Sequence, residues 1–256
     1  MRTKIVLLAA AIAATHGLVA SAATGIPGDW QHWSAEVEIN NLASRQRGAR
    51  NFMSYCSGCH SIKYLRYSRL AKDLDIAPEQ LQKFLLPPDA KSSDYMTTSM
   101  LASDGAAWFG TAPPDLSLIT RSKGADYVYR FLKTFYLDPG KPSGVNNLAL
   151  EGTAMPHVLS SLQGLQSAVF RNEEIAGEGG EPVTVKTWEK FQLDVPGTLS
   201  AAEYDQFVGD LINFLQYAGE PAQVDRQKLG VWVVLFLLVF TLLAYLLKRE
   251  YWRDVR

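Results

Sequence analysis

The chain has 256 residues, a formal net charge of −1, 47% apolar residues and 20% charged residues. That balance is globular rather than disordered, and with no basic tract it offers no footing for a nucleic-acid partner. The two cysteines, Cys56 and Cys59, are close neighbours, which excludes the disulfide framework that staples small secreted domains.

The N-terminus carries Arg2 and Lys4, an apolar run over 5–14 and Ala20-Ser21-Ala22. Residues 1–22 therefore read as a secretory signal peptide cleaved near 22/23, with an apolar core too short for a membrane span. The exported body is residues 23–228. Its first strong element is a helix over 42–55, with Gly48 and Phe52 on one face.

That helix runs into Cys56-Ser57-Gly58-Cys59-His60. The C-x-x-C-H pattern reads as a c-type haem attachment: each thiol bonds one vinyl group of the same porphyrin, and the adjacent His60 reaches the iron as proximal ligand. A zinc site needs four ligands, and beyond the signal peptide the chain offers only His32 and His157 besides these three. A thioredoxin-like pair belongs in a βαβ context and has no use for His60. Export agrees with covalent haem attachment.

Further along, helices are expected at 65–74, 78–84 and 125–136, the last with Tyr127, Phe131 and Leu132 facing inward. Gly/Pro/Ser-rich stretches cover 87–114 and 139–152. A sixth iron ligand should come from a later Met or His. Met53 is too close to the attachment loop to cross the haem, and Met96 reads as core. Met155 leads, because Pro156 biases it toward extended backbone in a loop free to lie over a haem face. Met100 and His157 remain as rivals.

A short strand pair is expected within 183–193. The acidic group Glu173, Glu174, Glu178 and Glu181 is either a solvated loop or a steering patch for a basic partner. Ser200 with Glu203 forms a capping-box pattern. The helix it opens shows Tyr204, Phe207, Leu211, Phe214, Leu215 and Ala218 at helical spacing, and Pro221 ends it. Residues 229–247 contain no charge and span about 28 Å as a helix, enough to cross a membrane. Trp232 and Tyr245 fit an aromatic belt, and Lys248, Arg249, Arg253 and Arg256 keep the 248–256 tail cytoplasmic. The body then faces the periplasm of a bacterial inner membrane. From 23 to 247 there are 19 Lys and Arg against 24 Asp and Glu, an acidic surface suited to a basic, diffusing partner.

The expected fold is mainly α: a class I cytochrome c-like haem domain with long loop insertions, plus one C-terminal transmembrane helix. In small c-type cytochromes a first helix bearing Gly and an aromatic crosses the last helix at the Gly, and the two halves of this chain resemble that pair.

Over most of the mature chain the residues resemble the cytochrome c1 family, the haem subunit of the quinol–cytochrome c oxidoreductase (the cytochrome bc1 complex). The resemblance rests on the haem motif followed by Lys63-Tyr64-Leu65-Arg66-Tyr67, on Trp108-Phe109-Gly110-Thr111-Ala112-Pro113-Pro114-Asp115-Leu116-Ser117, on Asp126-Tyr127-Val128, on Ala154-Met155-Pro156, and on the single C-terminal span with its basic tail. It implies one covalent haem c (iron) on Cys56 and Cys59, with His60 and Met155 as axial ligands. It further implies a Pro113-Pro114 loop carbonyl accepting the His60 Nδ1–H bond, Arg121 pairing with a haem propionate, and Tyr127 close by. The function implied is that of an electron-carrier subunit with no bond-making chemistry of its own. It takes an electron from a Rieske iron–sulfur protein and passes it to a soluble or tethered c-type cytochrome, with the anchor packed on cytochrome b in a dimeric complex. The alternatives are a stand-alone tethered cytochrome feeding a terminal oxidase and a haem sensor or enzyme.

Overall fold

The computed structural model describes residues 29–176 and 182–254. The proposed signal peptide lies outside them. A 3-10 turn at Trp30–His32 leads to α1 (Leu42–Tyr55), β1 (Ile62–Arg66), α2 (Tyr67–Asp73), α3 (Pro78–Phe84), β2 (Tyr95–Met96) and α4 (Ala102–Phe109). Then follow α5 (Ile119–Ser122), α6 (Ala125–Lys133), β3 (Phe135–Leu137), β4 (Val145–Asn147), α7 (Ser160–Gln163), β5 (Gly164–Ala176), β6 (Pro182–Pro196), α8 (Ala201–Gly219) and α9 (Gln223–Tyr251). The strands form three separate antiparallel pairs, β1–β2, β3–β4 and β5–β6. The domain is a helical, class I cytochrome c-like body followed by one long apolar helix.

The core forms where α1 crosses α8. Asn41 caps α1 by accepting the Ser44 N–H at 3.0 Å. Ser200 and Glu203 close a reciprocal capping box at the start of α8, so two free N–H donors there are satisfied. At the crossing, a Cβ on Gly48 would lie 2.0 Å from the Asp210 backbone oxygen and 2.7 Å from the Phe214 Cβ. Only glycine admits that approach. Phe52 and Phe214 then meet at 5.6 Å between ring centroids. Beside them the buried Asp210 accepts from the Ser44 hydroxyl at 2.6 Å and from Arg47 Nε and Nη2 at 2.6 and 2.8 Å. Asn213 ties the network to Ser44 at 2.8 Å and accepts the Glu38 N–H at 2.8 Å.

Several local expectations shift. The helix expected from residue 65 starts at Tyr67, because Ile62–Arg66 is held extended against β2, with Ile62 opposite Met96. Met96 is buried in the core, as its apolar reading required. The stretch 87–114 contains α4, which Gly110 terminates at φ +80. Gly105 inside α4 lowers its helical signal, yet a Cβ there would lie 2.6 Å from Pro113 Cδ. Packing overrides propensity at that position. The helix expected over 125–136 stops at Lys133, where Asn147 donates to Phe131 O at 2.7 Å and Thr134 donates to Asn147 Oδ1 at 3.2 Å. On α6, Val128, Tyr129 and Leu132 are the buried residues, while Tyr127 and Phe131 are half-buried.

The strand pair expected within 183–193 is instead half of a long hairpin, in which β6 pairs with β5 from Gly164↔Pro196 outward. Glu173 and Glu174 therefore sit on a strand; Glu178 and Glu181 lie outside the described residues. A two-stranded hairpin is marginal alone in water. This one rests on Trp33, which meets Trp188 edge-on at 6.2 Å and Phe191 at 6.5 Å, and on Tyr136, 5.9 Å from Phe170.

The last helix, α9, has 29 residues and no residue buried against the rest of the chain. It encloses the uncharged run 229–247 and fits a single-pass membrane anchor.

Two substitutions rank the devices that hold this fold. Gly48→Ala drives a side chain into backbone and should cost about 1–3 kcal/mol, whereas Ser200→Ala loses one cap and should cost about 1 kcal/mol. Urea midpoints followed by circular dichroism should fall in that order.

Candidate functional site

The end of α1 positions the first site residues. Cys56 is its C-cap and donates its N–H to Phe52 O at 2.8 Å. The chain then closes a tight turn, with Cys59 N and His60 N both bonded to Cys56 O at 3.0 and 2.8 Å. Both thiols are free and half-buried. Burial, reinforced by Cys59, pushes the Cys56 thiol up to about 12, so it is a thiol and not a thiolate at neutral pH.

His60 Nδ1 lies 2.8 Å from the carbonyl oxygen of Pro114. A carbonyl only accepts, so Nδ1 carries the proton and Nε2 keeps its lone pair. Burial lowers the His60 pKa, with the Pro114 carbonyl and Asp115 opposing it in part. The imidazole is held as a neutral base with one nitrogen committed and the other available.

The loop that supplies the carbonyl is laced to the chain beyond His60. Leu116 N–H donates to Ser61 O at 2.8 Å. Asp115 accepts Lys63 N–H through Oδ2 at 3.0 Å and Ser117 N–H through Oδ1 at 3.0 Å. Ser117 Oγ accepts Tyr64 N–H at 3.2 Å. On another side of the turn, Thr98 donates its hydroxyl to Gly58 O at 2.8 Å and its N–H to Ser61 Oγ at 2.9 Å.

Met155 is half-buried and packs against the main core. Its loop is held by two buried asparagines. Asn146 Oδ1 accepts Gly152 N–H at 2.8 Å, Asn147 Oδ1 accepts Ala149 N–H at 2.8 Å, and Met155 N–H reaches Thr153 Oγ1 at 3.3 Å. Of the rivals, Met100 lies over α4: its Sδ would be 3.4 Å from a Cβ on Gly105, beside Pro113. The His157 ring stacks flat on Phe135, 4.8 Å between centroids and 5° between planes. Sequence reasoning passed over Thr98, Asp115, Asn146 and Asn147. Only Asp115 had a visible signal, an acidic residue two before a serine, which favours a turn closed by its own side chain.

Arg121 is exposed and pairs with Glu220 at 3.3 Å, and Glu220 also binds Arg226 of α9 at 2.8 Å. Tyr127 stacks on Phe131 at 6.4 Å, which meets Phe135 at 5.1 Å. Among the described residues no hydrogen bond joins Arg121 to Tyr127 or to the Pro113-Pro114 loop.

The donor set suits haem: two thiols at the C-x-x-C-H spacing, and a neutral imidazole with its second nitrogen uncommitted. Among the described residues no group of three or more His, Cys, Asp or Glu is placed to hold a metal ion.

A helical domain closed by a first-with-last helix crossing, with a two-thiol turn and an oriented histidine at the end of the first helix, defines a protein of the c-type cytochrome class. Comparison with known proteins narrows this. The model of the "Cytochrome C1 family" matches residues 32–166 and 197–255, and the chain belongs to that family. It is 49% identical to "Cytochrome c1" of Allochromatium vinosum, over 95% of this chain and 98% of that one. It is 40% identical to "Ammonia monooxygenase gamma subunit" of Nitrosomonas europaea, over 86% of this chain and 87% of that one. It is 28% identical to "Cytochrome c1" of Rhodospirillum rubrum, over 89% of this chain and 87% of that one. Membership implies a haem cofactor.

One pH effect follows from His157. Burial lowers its pKa to about 4, against an ordinary 6.5. The unfolded chain therefore takes up this proton first as the pH drops, and stability is lost between about pH 6.5 and 4. His157→Phe keeps the stack on Phe135 and removes the proton. The urea midpoint of that variant should fall less steeply over this window than that of the unaltered protein.

Proposed function

We propose that this chain carries one covalently attached haem c and serves as the electron-carrier subunit of a quinol–cytochrome c oxidoreductase. The observation that carries the reading is the 2.8 Å bond from His60 Nδ1 to Pro114 O, directly after two free thiols. It supports Cys56 and Cys59 as the thioether attachments and His60 Nε2 as the proximal ligand. A bond of this kind fixes the imidazole plane and raises its donor strength. Met155 would be the second residue to hold the iron. Its half-buried loop, braced by Asn146 and Asn147, supports this, while Met100 lies against Gly105 of α4 and the His157 ring is committed to Phe135.

When bound, the haem supplies a one-electron Fe(III)/Fe(II) couple. The residues of the chain hold it, orient it and set its surroundings. Arg121, here paired with Glu220, would hold a haem propionate, with Tyr127 as a further contact. Held by His60 and Met155, the haem would serve electron transfer, and the chain would make and break no substrate bonds of its own. The electron comes from a Rieske iron–sulfur protein and goes to a soluble or tethered c-type cytochrome. The haem domain lies in the periplasm of a bacterial inner membrane, and α9 crosses that membrane against cytochrome b in a dimeric complex. Residues 1–22 are the export signal, residues 23–228 the haem domain, and the basic tail 248–256 is cytoplasmic.

Gentle detergent extraction tests the assembly. Cytochrome b and a Rieske protein should co-purify with the chain, together with quinol–cytochrome c reduction blocked by antimycin or stigmatellin. Recovery of the haem protein alone, still passing electrons to an oxidase, would replace this reading with a stand-alone tethered carrier.

Met155→Leu tests the ligand. The variant should keep its covalent haem, bind carbon monoxide when reduced and show a lower midpoint potential. The unaltered protein should bind none.

A further inference from the structure

Two prolines deliver the carbonyl that meets His60. Proline has no N–H, so neither Pro113 nor Pro114 can be held in place through its own amide. Pro113 packs against Gly105 of α4, and the hydrogen bonds that hold the Pro114 carbonyl on the imidazole come from residues that follow. Asp115 is the next residue, and both of its carboxylate oxygens are used on backbone: Oδ1 accepts Ser117 N–H at 3.0 Å and Oδ2 accepts Lys63 N–H at 3.0 Å. The first bond closes the loop on itself. The second ties it to a residue three past His60.

The geometry points to Asp115 as the positioning residue of the axial imidazole: its carboxylate bridges the Pro114 loop to the segment after His60 and so holds the Pro114 carbonyl on Nδ1. Charged acceptors on N–H donors make stronger bonds than neutral ones, and a carboxylate can serve two donors at once. Asparagine, whose amide has a single oxygen, can replace only one of the two without strain. The Leu116 N–H to Ser61 O bond at 2.8 Å runs parallel to this bridge but is made by backbone alone. It ties the same two segments one residue further from the Pro114 carbonyl than Asp115 does.

The inference rests on the reading of His60 as iron ligand, and its test separates the two. A looser Pro114 carbonyl makes the imidazole a weaker donor, which favours Fe(II) and raises the midpoint potential. Removing a negative charge near the iron would also raise it, so charge and position must be separated. Asp115→Glu keeps the charge and moves the carboxylate; Asp115→Ala removes both. The measurements are the midpoint potential, the ferric electron paramagnetic resonance g values, which report the imidazole orientation, and the thermal midpoint, all on full-length protein in detergent.

The expected result is a raised potential and shifted g values in both Asp115→Glu and Asp115→Ala. A potential that rises in Asp115→Ala with no change in Asp115→Glu means charge alone, and overturns the inference. A fall in thermal midpoint with potential and g values unmoved means a purely structural loop residue, and overturns it too. Should Asp115→Ala not accumulate with haem, Asp115→Asn takes its place in the same comparison. A pyridine haemochrome spectrum of the unaltered protein that lacks thioether-linked haem would sink the haem reading itself; normal haem with unresponsive Asp115 variants would sink only this inference.

Discussion

The close crossing of α1 and α8 is the constraint on which the rest depends. With no side chain at Gly48, the α1 backbone reaches the Asp210 carbonyl, and nothing larger fits that gap. The buried Asp210 carboxylate then fixes the rotation of α1 about its own axis, since Ser44 and Arg47, on successive positions of one face, both bond to it. A carboxylate taken out of water is costly unless it is fully bonded, and here the serine, the arginine and the nearby asparagine satisfy the network. A helix fixed in height and rotation ends at a fixed place. Cys56 is its C-cap, so the two-thiol turn and His60 are delivered at a defined point on the core.

From that point the site is assembled by loops, and loops must find partners for backbone groups that no ladder satisfies. In this chain short polar side chains do it. Asp115 and Ser117 serve the segment after His60, Thr98 serves the turn between the cysteines, and Asn146 and Asn147 brace the segment that carries Met155. Both asparagines are almost fully buried, at 2% and 1% exposure, which identifies them as internal struts and not surface residues. The segments at Thr98, 113–117 and 146–155 are each pinned by one or more such bonds.

The hairpin and the anchor stand apart from this core in different ways. The family match skips residues 167–196, most of the β5–β6 hairpin. The hairpin is built onto the core through Trp33, Trp188 and Phe191. In α9 the run 229–247 is apolar and exposed, while Val224 at its start packs against the core. Glu220, between Arg121 and Arg226, joins the haem domain to the start of that helix.

Read alone, the sequence already marks the two-thiol turn with its histidine and the main helices. Cys56, Cys59 and His60 are neighbours in the chain, so their pattern is legible without a folding argument, and the bounds of α8 follow from Ser200, Glu203, the periodicity and Pro221. The anchor was equally plain, because length and apolarity alone make it. Contacts between distant segments were decided only by the tertiary structure. The strand at Ile62–Arg66 exists because β2 lies beside it, α4 survives Gly105 because Pro113 fills the space, and α6 ends early because Asn147, Tyr204 and Gln163 take its last three carbonyls. The bond from Pro114 to His60 spans more than fifty residues of chain, and the roles of Asp115, Asn146 and Asn147 depend on which backbone donors are brought to them. Local propensity cannot report such pairings, since each is set by the partner that packing supplies.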